Sequence, residues 1–97
     1  DVCSSDLALL HYLYAKLLEN VGLPAEAAEA ARIAQALGLS DAALRTEAQL
    51  MEARGRLWSG ARAEAAVLLG ALVATSTRAG PRAEAEDWLE RARRAPE

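Results

Sequence analysis

Any chemistry in this chain of 97 residues has to come from very few side chains, because His11 is the only histidine and Cys3 the only cysteine. A zinc centre needs three or four converging ligands, so a lone imidazole and a lone thiol do not make one. Ser40, Ser59 and Ser76 sit near the ends of helical patterns, where capping explains a hydroxyl, and no Cys/His or Ser/His/Asp set can be assembled around them. Two carboxylate pairs, Glu26 with Glu29 and Glu84 with Asp87, have the spacing that general acid–base work would use. Both lie in early helical turns, where attraction to the helix dipole is the ordinary reason for acids. The six glycines are spread mostly as helix stops and form no phosphate-binding loop. The expectation is a protein without catalytic residues, metal or cofactor.

Charge and hydropathy narrow the class further. The net charge of -3 arises from acids and bases that alternate along the chain, not from the broad basic field that nucleic acids select. Arg91, Arg93 and Arg94 form one local basic cluster, and Glu86, Asp87 and Glu90 dilute it, so direct nucleic-acid binding is not expected. Asp41 with Arg45, Glu52 with Arg56, Asp87 with Arg91 and Glu90 with Arg94 each place an acid four residues before a base. This is the favourable order on a helix face, worth a few tenths of a kcal/mol per pair. No run of 18 apolar residues exists, so no membrane span is expected.

The elements that must position these side chains are helical throughout. Twenty-four residues are alanine, Phe is absent, and Leu, Glu and Arg make up much of the remainder, so summed propensity favours helix almost everywhere. Periodicity and punctuation predict five helices. The first covers about 6–20, with Leu7, Leu10, Tyr14, Leu17, Leu18 and Val21 at steps of three and four, and stops near Gly22. Pro24 opens the second, whose Ala27, Ala30, Ala34 and Leu37 face ends at Gly38. Ser40 is the expected N-cap of the third, flanked by Leu39 and Leu44 at the spacing of a hydrophobic staple. That helix passes through Ala48, Met51, Gly55 and Trp58 to Gly60. The fourth runs from 61 to about 77 through Ala65, Leu69, Leu72 and Val73. Gly80 and Pro81 start the fifth, with Ala85, Trp88, Leu89 and Ala92 on one face. Connections of a few residues force neighbours to be antiparallel and adjacent.

Within this pattern Gly22 and Gly60 stand 38 residues apart, each preceded at minus seven by alanine (Ala15, Ala53) and followed at plus five by alanine (Ala27, Ala65). Small residues on both sides of a glycine turn let two antiparallel backbones approach closely, which is the mark of a stackable hairpin. Residues 1–7 do not share the pattern. DVCSSDL resembles the in-frame translation of a widely used sequencing adapter, so 1–7 is read as a non-native leader and 8–97 as an incomplete helical-repeat domain. Ten arginines against one lysine suggest a GC-rich, bacterial genome.

From about Leu7 to Thr77 the chain resembles the tetratricopeptide repeat. Ala15, Gly22 and Ala27, and again Ala53, Gly60 and Ala65, match its small, turn and small positions; Tyr14 and Leu18 match the bulky positions of its first helix, and Ala34 and Leu72 its later small position. The spacing of 38 is longer than the usual 34, Glu52 and Arg56 replace the bulky pair in the second unit, and His11 and Gln49 stand where a tryptophan is usual. The resemblance implies an all-α fold, antiparallel helical hairpins stacked as a short right-handed α-solenoid. It also implies a concave groove lined by the first helix of each hairpin, which makes Tyr12, Lys16, Asn20, Leu50, Arg54 and Trp58 the binding candidates. Trp58 has an equal alternative as a core residue at a helix end, and Trp88 is expected in core or interface packing. The fifth helix either opens a third hairpin or pairs with the fourth.

Such Ala- and Arg-rich repeats look like the helical arms of large bacterial regulatory ATPases and multidomain transcriptional activators. The expected function is a cytoplasmic scaffold for protein–protein interaction within a larger regulator, its partner a protein, a peptide or neighbouring repeats of the same chain. The alternative is a compact accessory domain of an enzyme or DNA-binding regulator whose active residues lie elsewhere. Replacing Ala27 or Ala65 by leucine is expected to destabilise the fold by roughly 1–3 kcal/mol through overpacking, read as a lower thermal midpoint; unchanged unfolding in both variants refutes the close contact.

Overall fold

The computed structural model describes residues 4–75 and 79–94. They form α1 (Ser4–Asn20), α2 (Pro24–Leu37), α3 (Ala42–Trp58), α4 (Arg62–Thr75) and α5 (Ala79–Arg94), with no strand among them. Cys3 and Ser76 lie outside the described residues, as does part of the leader reading, while Ser4–Leu7 form the first turn of α1.

The turns follow from local chemistry. Gly22 and Gly60 adopt φ of 86° and 100°, a left-handed conformation that costs other residues energy. Around each, the same two hydrogen bonds close the preceding helix. Gly22 and Leu23 donate N–H to the carbonyls of Glu19 and Leu18, and Gly60 and Ala61 donate to those of Leu57 and Arg56. This is the double bond pattern of a Schellman stop, reproduced at the 38-residue interval. Pro24 occupies the first turn of α2, where a missing N–H is harmless. The expected Ser40 cap is corrected: Asp41 caps α3, its carboxylate accepting from the N–H groups of Ala43 and Leu44 at 2.8 and 3.4 Å. A charged acceptor at the positive end of the helix outcompetes a neutral hydroxyl one residue earlier. Arg45 accordingly does not pair with Asp41 but donates to the carbonyls of Leu39 and Ser40.

Each helix packs on its neighbour in sequence, and α3 also touches α1 and α5, so the hairpins stack in a row measuring 48 × 29 × 18 Å. Two apolar clusters hold the row together. In the first, Ala8, Tyr12, Ala15 and Leu18 of α1 meet the alanine face of α2, joined by Leu39, Ala48 and Met51. In the second, Leu50 and Ala53 of α3 meet Leu69 and Leu72 of α4 and Ala85 of α5, with Trp88 and Leu89 alongside. The flanking alanines Ala15, Ala27, Ala53 and Ala65 are all fully buried. The fifth helix packs on α4 and reaches back to α3, the same relation α3 has to α2 and α1. It therefore takes the place of the first helix of a third hairpin.

Of the glycines, only Gly55, in the middle of α3, is approached closely by another helix. A Cβ built there would lie 2.7 Å from the Ala28 methyl and closer still to the Pro24 carbonyl oxygen, at the start of α2. Glycine costs a helix about 1 kcal/mol relative to alanine, so helix propensity alone favours Gly55→Ala. The contact with a backbone oxygen reverses that sign. Gly55→Ala is expected to destabilise the protein by about 1–3 kcal/mol in urea unfolding, with Gly70→Ala, which meets nothing within 4 Å, neutral or stabilising.

Candidate interaction surface

The six sequence-derived groove residues do not form one surface. Tyr12 and Leu50 are corrected to core positions: they are 6% and 2% exposed and occupy equivalent places 38 residues apart, each turned into its own hairpin. Lys16 is exposed with its ammonium 5.7 Å from the Tyr12 ring centroid, and Asn20 is exposed at the end of α1. Trp58 is 52% exposed and meets Trp88 edge to face, with centroids 5.4 Å apart and planes at 82°. Arg91 lies 4.5 Å from the Trp88 ring centroid while it pairs with Asp87 at 3.1 Å. The aromatic pair thus joins α5 to the end of α3, while Arg91 covers Trp88 from within α5.

Arg54 is structural in a way its residue type alone did not reveal. It projects from α3 and makes a two-pronged contact with Glu19 of α1 at 2.8 and 3.0 Å, a third bond to Glu84 of α5 at 3.1 Å and an approach to Glu47 at 3.6 Å. Burial pushes its proton affinity down, but the hydrogen bonds it donates to Glu19 and the charges of Glu19, Glu47 and Glu84 outweigh it and hold the guanidinium above its usual range. A planar fork suits this bidentate geometry and a lysine would not.

The remaining charges are mostly engaged in packing. Gln35 of α2 donates to the buried Glu52 carboxylate at 2.9 Å and to the Ala48 carbonyl at 3.4 Å, and Arg56 reaches Glu29, Glu52 and Glu64 between 3.8 and 3.9 Å. Arg32 hydrogen-bonds Glu29 and, as the main cause, holds that exposed carboxyl below its ordinary value. The imagined carboxylate pairs are therefore divided among arginines: Glu29 to Arg32 and Arg56, Glu84 to Arg54, Asp87 to Arg91. His11 donates from Nδ1 to the Leu7 carbonyl at 2.9 Å. No group of three or more His, Cys, Asp or Glu converges for a metal among the described residues. No helix among them is long and apolar enough to cross a membrane.

The surface that sequence reading treated only as helix periodicity is the outer face of α1. Leu10, Leu13, Tyr14 and Leu17 are 61, 52, 54 and 57% exposed and, with His11, bound a shallow groove of about 430 Å³. Val21 at 61% prolongs it beyond the helix end. The signal is present: α1 carries two apolar stripes, Ala8, Tyr12, Ala15 and Leu18 against α2, and this second one, which none of the described residues covers. Large contiguous apolar patches of this kind mark contact sites more often than chance exposure does.

Removing the Arg54 guanidinium leaves Glu19 hydrogen-bonded to nothing equivalent and three acids facing one another. Since Glu47 and Glu84 keep access to water, the loss is smaller than for a wholly buried pair. Arg54→Ala is expected to lower unfolding stability by about 2 kcal/mol and Arg54→Lys by about 1 kcal/mol, measured in urea; equal stability in all three proteins refutes the clasp.

Compared with known proteins, the chain matches no family model, no curated protein and no solved structure.

Proposed function

We propose that this protein is a non-catalytic helical-repeat scaffold that acts by protein–protein contact. The observation that carries the reading is the bare apolar face of α1, on which Leu10, Leu13, Tyr14 and Leu17 are each more than half exposed. Burying such a face is worth about 25 cal/mol per Å² of apolar surface removed from water, so a partner is strongly favoured there. The stacked hairpins supply a rigid platform, and the repeat spacing of 38 residues supports the tetratricopeptide-like reading. Residue usage and repeat character favour a place within a larger cytoplasmic regulator of a bacterium. Arg54 and Arg56 are used between helices, tying carboxylates from several elements.

Sequencing the gene on both sides of the coding segment for 8–97 tests this reading. Further helical hairpins at about the same spacing support the scaffold. An immediate change to a catalytic or DNA-binding sequence pattern overturns it in favour of an accessory domain.

A further inference from the structure

The odd-numbered helices repeat at offsets of 38 and 37 residues, since α1 begins at Ser4, α3 at Ala42 and α5 at Ala79. Each has two comparable packing faces, one toward the helix before it and one toward the helix after it. The backward face of α3, with Ala48, Met51, Glu52 and Gly55, is buried against α2, where Gly55 meets Pro24 and Ala28 and Glu52 is bonded to Gln35. That of α5, with Ala85, Trp88 and Leu89, packs in the cluster of Leu69 and Leu72 of α4. The same positions of α1 are Leu10, Leu13, Tyr14 and Leu17, which none of the described residues covers. The forward faces differ in the opposite sense. Tyr12, Ala15 and Leu18 of α1 are buried in the hairpin with α2, and Leu50 and Ala53 of α3 in the hairpin with α4. Their counterparts on α5 are Asp87, Glu90 and Arg93, all exposed. The Asp87 and Glu90 side chains are 60 and 64% exposed and pair along the helix with Arg91 and Arg94, at 3.1 and 3.7 Å. A helix laid there as α2 lies on α1 would meet carboxylates where the other hairpins bury Tyr12 or Leu50 and an alanine, and would strip water from both ion pairs. Terminal helices of stacked arrays carry such polar outer faces.

A second repeated feature marks the same place. The groove between α1 and α2 at Tyr14, Leu18, Glu26 and Ala30 recurs between α3 and α4 at Glu52, Arg56, Glu64 and Leu68. The preceding helix α2 reaches the second groove, with Glu29 lying 3.8 Å from Arg56. We infer that the array extends in one direction: in the full-length protein an antiparallel helix immediately N-terminal to α1 lies on Leu10, Leu13, Tyr14 and Leu17, and α5 closes the stack. The repeat fixes the place of this helix as that of α2 on α3, with a turn of the length of 38–41 between its end and α1. Its facing stripe is apolar, because no charged side chain stands among the four residues it covers. This rests on the scaffold reading above and names what occupies its bare face.

The test is thiol accessibility in the full-length protein expressed from the uninterrupted gene, with Leu13→Cys and Glu90→Cys labelled by a maleimide and each site read by peptide mass. Every rate is taken relative to the same protein unfolded in urea. Leu13→Cys is expected to react at least about 100-fold more slowly in the folded protein, and Glu90→Cys within about threefold of its unfolded rate. Should Leu13→Cys fail to fold, hydroxyl-radical oxidation of the unsubstituted protein gives the same readout, with Tyr14 expected to be as protected as the buried Tyr12. A reactive Leu13→Cys, a protected Glu90→Cys, or protection at Leu13 that fades on dilution, the mark of a second copy, overturns the inference. So does a segment before α1 that lacks a helical apolar stripe. Hairpins encoded upstream beside a reactive Leu13→Cys overturn it while leaving the scaffold reading intact. A helix before α1 that protects Leu13 within an otherwise catalytic chain upholds this contact and removes the scaffold reading.

Discussion

Everything in this molecule depends on helix backbones coming close enough for methyl groups and glycines to fill the space between them. Its first cluster buries four side chains of substantial size, Tyr12, Leu18, Leu39 and Met51, among seven alanines. Alanine contributes little area on burial, so cohesion must come from many short-range contacts at near-crystalline density, each lost if the separation grows by a fraction of an ångström. The turn glycines are the geometric condition for this. By reversing the chain within three residues and closing both helix-end carbonyls, they bring Ala15 and Ala27, and again Ala53 and Ala65, into the same buried layer.

Charge supplies what apolar area cannot. A thin core leaves long side chains near the helix boundaries only partly in water, where ion pairs gain strength without the full desolvation cost of deep burial. Arg54 and Arg56 both use that intermediate zone. Each gathers carboxylates from more than one helix.

The fold was legible because its determinants are local. Pro24, Gly22, Gly38 and Gly60 mark helix ends by conformational restriction alone, and the repeat of small residues at fixed offsets announced the close packing. The Ser40 cap was misplaced by one residue because two good capping side chains are adjacent, and only the geometry of the turn chooses the charged one. The binding surface was far less legible. Tyr12 and Leu50 were assigned to a groove by register with a family, but which side of a helix faces its hairpin partner depends on rotation by a fraction of a turn, which spacing does not encode. Arg54 depends on Glu19 and Glu84, residues 35 and 30 positions away, a convergence that no local pattern contains. The α1 face was hidden for another reason: an exposed apolar stripe and a buried one look alike in sequence.

A stack of hairpins is ordinarily a chain of independent links, in which unravelling at one end goes unnoticed at the other. Here α1 and α5 share no direct packing, yet a single side chain from the middle helix grips an acid on each. Fraying of α1 would release Glu19 and loosen the same guanidinium that steadies Glu84. The two ends of a quasi-linear object thereby share one fastening, a guanidinium bonded to an acid from each.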